Sequence, residues 1–256
     1  MYRYPYPGTI SDHVCCAAPR THNSSASRVL VPPGMLRLAV FSFVVSSLVA
    51  AFFMWRRRLL ASIDSPWIAA VRRMLDEPPP GPIDLPVKIQ PALFLGDKRS
   101  ANNPQILEAF GITHVLNVAG KYGATTHAGV HHKHIHAEDE EGYPILSKHL
   151  GEASAFIHQA RDEGGCCLIH CQAGINRSGC IAVAELMLSE HLPVLDAIAR
   201  VKKARGVLLT NHSFQEQLVA LARANGLLGT QPENLGPLPP ARKQRRPAAD
   251  ALRRLG

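Results

Sequence analysis

Cys171 and Arg177 bracket five residues in the run His170-Cys171-Gln172-Ala173-Gly174-Ile175-Asn176-Arg177-Ser178-Gly179. Leu168 and Ile169 end an apolar run just before it, and Ile181 to Leu188 carries no helix breaker just after it. The pattern reads as a short buried strand, a tight turn and a helix. Such a turn points several free N–H groups at one spot, and the helix start adds the positive end of its dipole. A thiol at that entrance is pushed towards thiolate, and a guanidinium across from it can grip two phosphate oxygens. Nucleophile and anion cradle on one loop imply attack on a phosphate ester through a covalent cysteinyl-phosphate. A buried structural cysteine beside a helix cap at Ser178 is the plainer alternative.

A thiolate attack needs a proton for the departing oxygen. Upstream of the loop, Glu138, Asp139, Glu140 and Glu141 stand together in a turn-prone stretch ending at Gly142-Tyr143-Pro144. Any of the four can supply that proton, and a solvated acidic loop is the competing account.

The loop resembles the signature of the cysteine-dependent protein phosphatases, and its Ala-Gly-Ile-Asn-Arg-Ser form most resembles the dual-specificity branch. The resemblance runs from about Lys88 to Arg223. It takes in Ile89 to Asp97 as the opening strand, Ile112 to Val118 as the second strand and Asn211 to Leu218 as the final helix. It implies an α/β, three-layer fold with a central, mostly parallel sheet flanked by helices. It also implies roles: Cys171 as nucleophile, Arg177 with the loop residues Gln172, Ala173, Gly174, Ile175 and Asn176 as the phosphate cradle, and Ser178 as the hydroxyl that helps the cysteine leave. Asp139 is the implied general acid, with Glu140 the alternative register. His170 is expected to order the loop and tune Cys171. No metal or other cofactor is called for. The substrate expected is a phosphorylated protein, because the loop holds no basic residue besides Arg177. A membrane-proximal phosphoinositide and a non-enzymatic phosphate-binding role are the alternatives. A redox protein fits worse, since no Cys-x-x-Cys pair stands at the loop.

The elements that must position this loop follow from the rest of the 256 residues. The formal charge is +8, but the arginines cluster at Arg56 to Arg58, Arg72-Arg73 and Arg242 to Arg254. With no aromatic interleaving and no zinc-finger spacing, nucleic acid is not an expected partner. The six cysteines form neither a secreted disulfide framework nor a four-ligand zinc pattern. A thiolate enzyme also needs a reducing compartment.

Residues 1–33 lack periodicity and are expected to be disordered. Leu38 to Trp55 runs eighteen residues without a charge, ending in an aromatic and followed by three arginines. A transmembrane helix is the expectation, in contact with lipid and with the later residues in the cytosol; a cytoplasmic protein is the alternative. Residues 56–82 read as a basic, Pro-rich juxtamembrane linker in which 59–75 form a short amphipathic helix on the membrane face. The catalytic domain is expected over 83–226, and a disordered, Pro-rich basic tail over 227–256. Within the domain we expect one strand over 87–95 and a helix over 102–110. Strands follow over 112–118 and 131–136, and helices over 149–163, 195–202 and 213–225. In a strand over 131–136, His132, His134 and His136 share a face, an arrangement open to a metal. A half-exposed polar strand is the preferred account.

Overall fold

The computed structural model describes residues 33–77, 85–120 and 126–233, the side chains of 33–41, 44, 61 and 63 excepted. Twelve elements follow in chain order. They are α1 (Pro33–Asp76), β1 (Val87–Gln90), β2 (Leu93–Gly96), α2 (Lys98–Ala101), α3 (Pro104–Ala109) and β3 (Ile112–Asn117), then β4 (His131–His134), α4 (Ile145–Asp162), β5 (Cys166–His170), α5 (Arg177–Ser189), α6 (Val194–Arg205) and α7 (His212–Ala224). The chain divides into two compact units, residues 1–54 and 55–256.

The second unit holds a five-stranded sheet in the order β1-β2-β5-β3-β4. Only the β1–β2 pair is antiparallel; β2, β5, β3 and β4 run parallel. The alternation of side chains along a strand sorts them between two cores. From β5, Cys167 and Ile169 enter the larger core beneath α4 to α7, whereas Leu168 enters the smaller one beneath α2 and α3. Leu93, Leu95 and Leu116 join the larger core, and Phe94 and Val115 the smaller. With both faces covered, the central strands must be apolar throughout, and Leu93 to Leu95 and Leu168-Ile169 are. Each such leucine or isoleucine contributes about 1.5–3 kcal/mol by leaving water. The sheet is mixed and flanked by helices on both faces, as expected. Its central strand β5 delivers the Cys171 loop at the carboxyl end, where open α/β sheets bind their ligands.

Several boundaries differ from expectation, each for a local reason. The segment 87–95 is a hairpin rather than one strand, because Pro91-Ala92 turns the chain between β1 and β2. Helix α4 begins at Ile145, directly after Pro144, whose fixed φ suits a helix entry. Helix α5 begins at Arg177, so the anion-facing end of the helix is the loop's own last residues. Strand β4 stops at His134; His132 accepts from the His127 N–H, and His136 lies past the strand. The expected three-histidine face is thus cut to His132 and His134.

The linker expectation is corrected over 56–77; its Pro-rich remainder, 78–82, lies outside the described residues. Helix α1 continues to Asp76, and its last turns belong to the catalytic unit's core through Trp67 and Val71. Trp67 Nε1 donates to Leu228 O at 2.8 Å, Arg223 pairs with the buried Asp64 at 3.0 Å, and Lys202 Nζ donates to the carbonyls of Met74 and Glu77. The amphipathic face expected on a membrane is thus spent on protein. At the other end, Leu227 and Leu228 pack against the core, so the domain passes 226. The expectations for residues 1–32 and 234–256 lie outside the described residues.

In the first unit α1 exposes Phe43, Leu48, Phe52 and Phe53. Among the described residues, no helix is long and apolar enough to cross a membrane.

Candidate active site

The loop from Cys171 to Arg177 is shaped from outside, by the fate of its carbonyl oxygens. Gln172 O accepts from Lys98 N, Ala173 O and Gly174 O accept from the Arg205 guanidinium, Ile175 O accepts from Leu209 N, and Asn176 O accepts from Cys180 N. All five carbonyls are therefore turned outward, which turns the N–H groups of the same peptides inward. Gly174 makes the bend: its φ is +68°, and a Cβ there would lie 2.3 Å from Gly96 O. Only glycine fits that site, on backbone and on space.

Cys171 is buried at the base of the loop, 3% exposed. Burial by itself pushes a thiol upward, yet Cys171 is held below the ordinary thiol range. The Ser178 hydroxyl, donating to Sγ at 3.2 Å, leads the opposing effects, followed by the Ser178 N–H, the Arg177 charge and the Ile175 N–H. Ser178 is therefore not a helix cap. The N-cap of α5 is Asn176, whose side chain makes no capping bond and leaves the first N–H groups of the helix facing the loop. By contrast, burial drives the Cys167 and Cys180 thiols upward, so neither is a competing thiolate.

His170 is buried, and burial lowers its imidazole to about 4, so it is neutral at physiological pH. Its Nδ1 lies 3.1 Å from Cys171 O. That contact ties the ring to the loop backbone, and the neutral ring brings no positive charge to Cys171.

The acidic stretch folds over the loop. Asp139 is reached by three groups: Asn176 Nδ2 donates to Oδ2 at 3.2 Å, Asn211 Nδ2 donates to Oδ1 at 3.3 Å, and Arg177 Nε stands 3.9 Å from Oδ2. Arg177 Nη1 also donates to Ala137 O at 3.2 Å. Its neighbour Glu141 has a different task, accepting the His212 and Ser213 N–H groups at 2.9 Å each and capping α7. Tyr143 secures the far side of the stretch: its hydroxyl contacts His149 Nε2 at 2.7 Å, and its carbonyl accepts from Gln217. Of the four carboxylates, only Asp139 contacts residues of the Cys171 loop. Glu140, the alternative register, is exposed, as Asp139 is, so the contacts and not the exposure separate the two.

The arrangement brings a thiolate-prone sulfur, an inward N–H cradle, a guanidinium and a carboxyl group to one place. That set can hold a tetrahedral dianion and exchange an oxygen ligand of phosphorus for sulfur. Two contributors escaped the sequence reading. Arg205 ends α6, where a basic residue reads as a complement to the helix dipole. Asn211 reads as the N-cap of α7, which it is, accepting from Phe214 N, but its second contact to Asp139 is 72 residues distant in sequence. Among the described residues, the group of side chains placed to hold a metal lies elsewhere, at His114, His131 and Glu163.

A family model described as "Dual specificity phosphatase, catalytic domain" matches residues 93–224. Human dual specificity protein phosphatase 26 is 39% identical over 142 residues, spanning 53% of this chain and 66% of its own length. Mouse dual specificity protein phosphatase 2 is 40% identical over 136 residues, spanning 53% of this chain and 42% of its own. The chain thus matches just under two thirds of the first relative and less than half of the second. The crystal structure of human DUSP28 superposes with a TM-score of 0.52 at 30% identity, covering 58% of this chain and 99% of that one.

Proposed function

Because the chain belongs to the dual-specificity phosphatase catalytic-domain family, we propose that it hydrolyses phosphotyrosine and phosphoserine/phosphothreonine monoesters of proteins through a cysteinyl-phosphate. The observation that carries the reading is the Ser178 hydroxyl on Cys171 Sγ at 3.2 Å, at the base of a loop whose carbonyls all face away. In the first step Cys171 attacks phosphorus along the line of the ester bond, and the P–O bond to the leaving group breaks as the S–P bond forms. Asp139 gives its proton to the departing oxygen. Arg177 and the loop N–H groups hold the three equatorial oxygens, whose charge they meet in the transition state. In the second step Asp139 takes a proton from water, the oxygen attacks phosphorus, and the Ser178 hydroxyl stabilises the departing Cys171 thiolate.

The loop's other side chains are uncharged, which favours phosphoproteins over polyphosphorylated lipids. The test is turnover of phosphotyrosyl, phosphothreonyl and phosphoinositide substrates by the full chain and its variants. Cys171→Ser is expected to lose turnover and keep phosphoester binding. Asp139→Ala is expected to slow alkyl phosphates about 10²-fold and activated aryl phosphates less. Preference for phosphoinositides would replace the protein-substrate reading, and full activity in Cys171→Ser would end the covalent one.

We also propose that the charge-free run Leu38 to Trp55 associates with lipid, leaving the phosphatase domain on the cytosolic side. The exposure of Phe43, Leu48, Phe52, Phe53 and Trp55, ahead of Arg56 to Arg58, supports it. Co-sedimentation of the full chain with phospholipid vesicles, together with protease protection of a C-terminal tag in cells, tests it; a chain that stays in the supernatant, or a sheltered tag, would overturn it.

A further inference from the structure

We propose that His114, His131 and Glu163 form a divalent-metal site, fitted to zinc, at the end of the sheet away from the Cys171 loop. The three come from three elements: β3, the edge strand β4, and the residue that ends α4. One ligand atom from each lies within 4.8 Å of the others. His114 is opposite Cys167 in the β3–β5 register, four residues before Cys171. At the rise of a strand that separates the cluster from the nucleophile by about 13 Å, so it is a distinct site.

The inner ligand carries the argument. His114 is 1% exposed, and its Nε2 is buried without a hydrogen bond. Glu163 Oε2 stands 3.3 Å from it, at ion-pair distance. A buried imidazole nitrogen facing a carboxylate and a second imidazole needs a proton or a metal ion between them, and three such ligands make a place for the metal.

The contacts of the ring's other nitrogen accommodate the tautomer that a metal needs. Thr113 Oγ1 lies 2.9 Å from His114 Nδ1, accepts the Cys166 N–H at 3.1 Å and can donate to Cys166 O at 3.4 Å. A hydroxyl has one proton to give and two lone pairs to fill. With its proton on Cys166 O, both lone pairs are filled by Cys166 N–H and His114 Nδ1–H. His114 Nε2 is then left as the free acceptor. Metal-bound histidines characteristically give their other N–H to such a partner. Glu163 is braced as well, since Gln159 Nε2 donates to Oε1 at 2.9 Å and leaves Oε2 facing the histidines.

His131 completes the set, its ring 4.7 Å from that of His114. Two ligands each about 2.0–2.1 Å from zinc lie at most about 4.2 Å apart, so the site closes when the exposed His131 ring, now stacked on His114 at an interplanar angle of 22°, turns its lone pair inward and Glu163 follows. Two imidazoles and a carboxylate leave a fourth tetrahedral position for water. Bound there, the metal pins the short edge strand β4 to β3 and to the end of α4.

The test is calorimetric titration of the full-length chain with zinc chloride, in a Cys171→Ser background so that the loop thiolate takes no metal. Thermal unfolding is followed with and without zinc. His131→Ala and Glu163→Gln alter exposed side chains and leave the core intact. We expect a zinc-dependent rise in Tm in the parent chain. Each substitution should weaken zinc binding at least tenfold and abolish the rise. Parent-like zinc affinity in either variant, or no rise in Tm in the parent, would overturn the proposal.

Discussion

The side-chain amide of Asn211 donates to Asp139 at 3.3 Å, joining the N-cap of α7 to the loop that carries the candidate acid. Asn211 serves both partners at once, its oxygen capping the helix while its nitrogen orients the carboxyl group. The two tasks are separable by chemistry. Asn211→Asp keeps an oxygen for the cap, but Asn211 is 1% exposed, so the new carboxylate is buried against Asp139 at a cost in stability. We expect a lower Tm and, at temperatures well below it, a fall in kcat for alkyl phosphates of about tenfold or more. Equal losses on alkyl and activated aryl esters would show that the contact does not act through the acid.

Ser178 offers a second separation, this time in pH. Its hydroxyl leads the effects that hold the Cys171 thiol below its ordinary range against burial. In Ser178→Ala burial is less opposed, the thiol pKa rises, and at any pH on the acid side less thiolate is present. The acid limb of the kcat/KM profile should therefore move to higher pH, with phosphoenzyme accumulating because the thiolate leaves less readily. Stopped-flow rates between pH 5 and pH 8, on the order of the relevant range for a tuned thiol, check it; an acid limb that does not move would exclude the role.

His170 predicts a stability change rather than a rate change. Its folded pKa is depressed to about 4 from 6.5 by burial. The neutral ring's contribution is thus complete above pH 6.5. It is lost as pH falls towards 4, where the unfolded chain takes the proton and the folded chain does not. The loss over that window is at most about 3 kcal/mol. Denaturant titrations at several pH values should show a steeper decline for the wild type than for His170→Asn. Parallel curves would mean that the buried ring is not the source.

How far the chain announces its own structure depends on the range of the interaction. The loop was legible because its chemistry is local: the thiol, the glycine with positive φ, the arginine and the hydroxyl all fall between Cys171 and Ser178. The unbroken apolar runs Leu93 to Leu95 and Leu168-Ile169 likewise mark the central strands. Asp139 could be singled out only through resemblance, since four neighbouring carboxylates look alike until Asn176, Asn211 and Arg177 converge on one of them. The end of α1 was misread because an arginine-flanked amphipathic helix has the same pattern whether its apolar face meets lipid or protein. Nothing within residues 59–75 says that Leu228 waits for Trp67.

That misreading has a direct test. Trp67 and Val71 lie in the core, yet both precede the matched family segment 93–224. Residues 83–226 alone should be markedly less stable than residues 56–233. Trp67→Ala in the longer piece should cost about 3 kcal/mol, from lost burial and the lost bond to Leu228 O. Equal denaturation midpoints for the two pieces would show that the helix is only laid on the surface.

The outward carbonyls of the Cys171 loop place a condition on the order in which the molecule becomes competent. Two of the five are held by Arg205, and a third by the Leu209 N–H, both downstream of the nucleophile by more than thirty residues. A chain emerging from the ribosome reaches Cys171, Arg177 and Ser178 well before it reaches these anchors. Until α6 docks, the loop's peptide planes are free to rotate, its N–H groups point in no common direction, and phosphate meets no cradle. Reactivity at Cys171 therefore arrives late in synthesis, as a report that the C-terminal third of the domain has been made and packed.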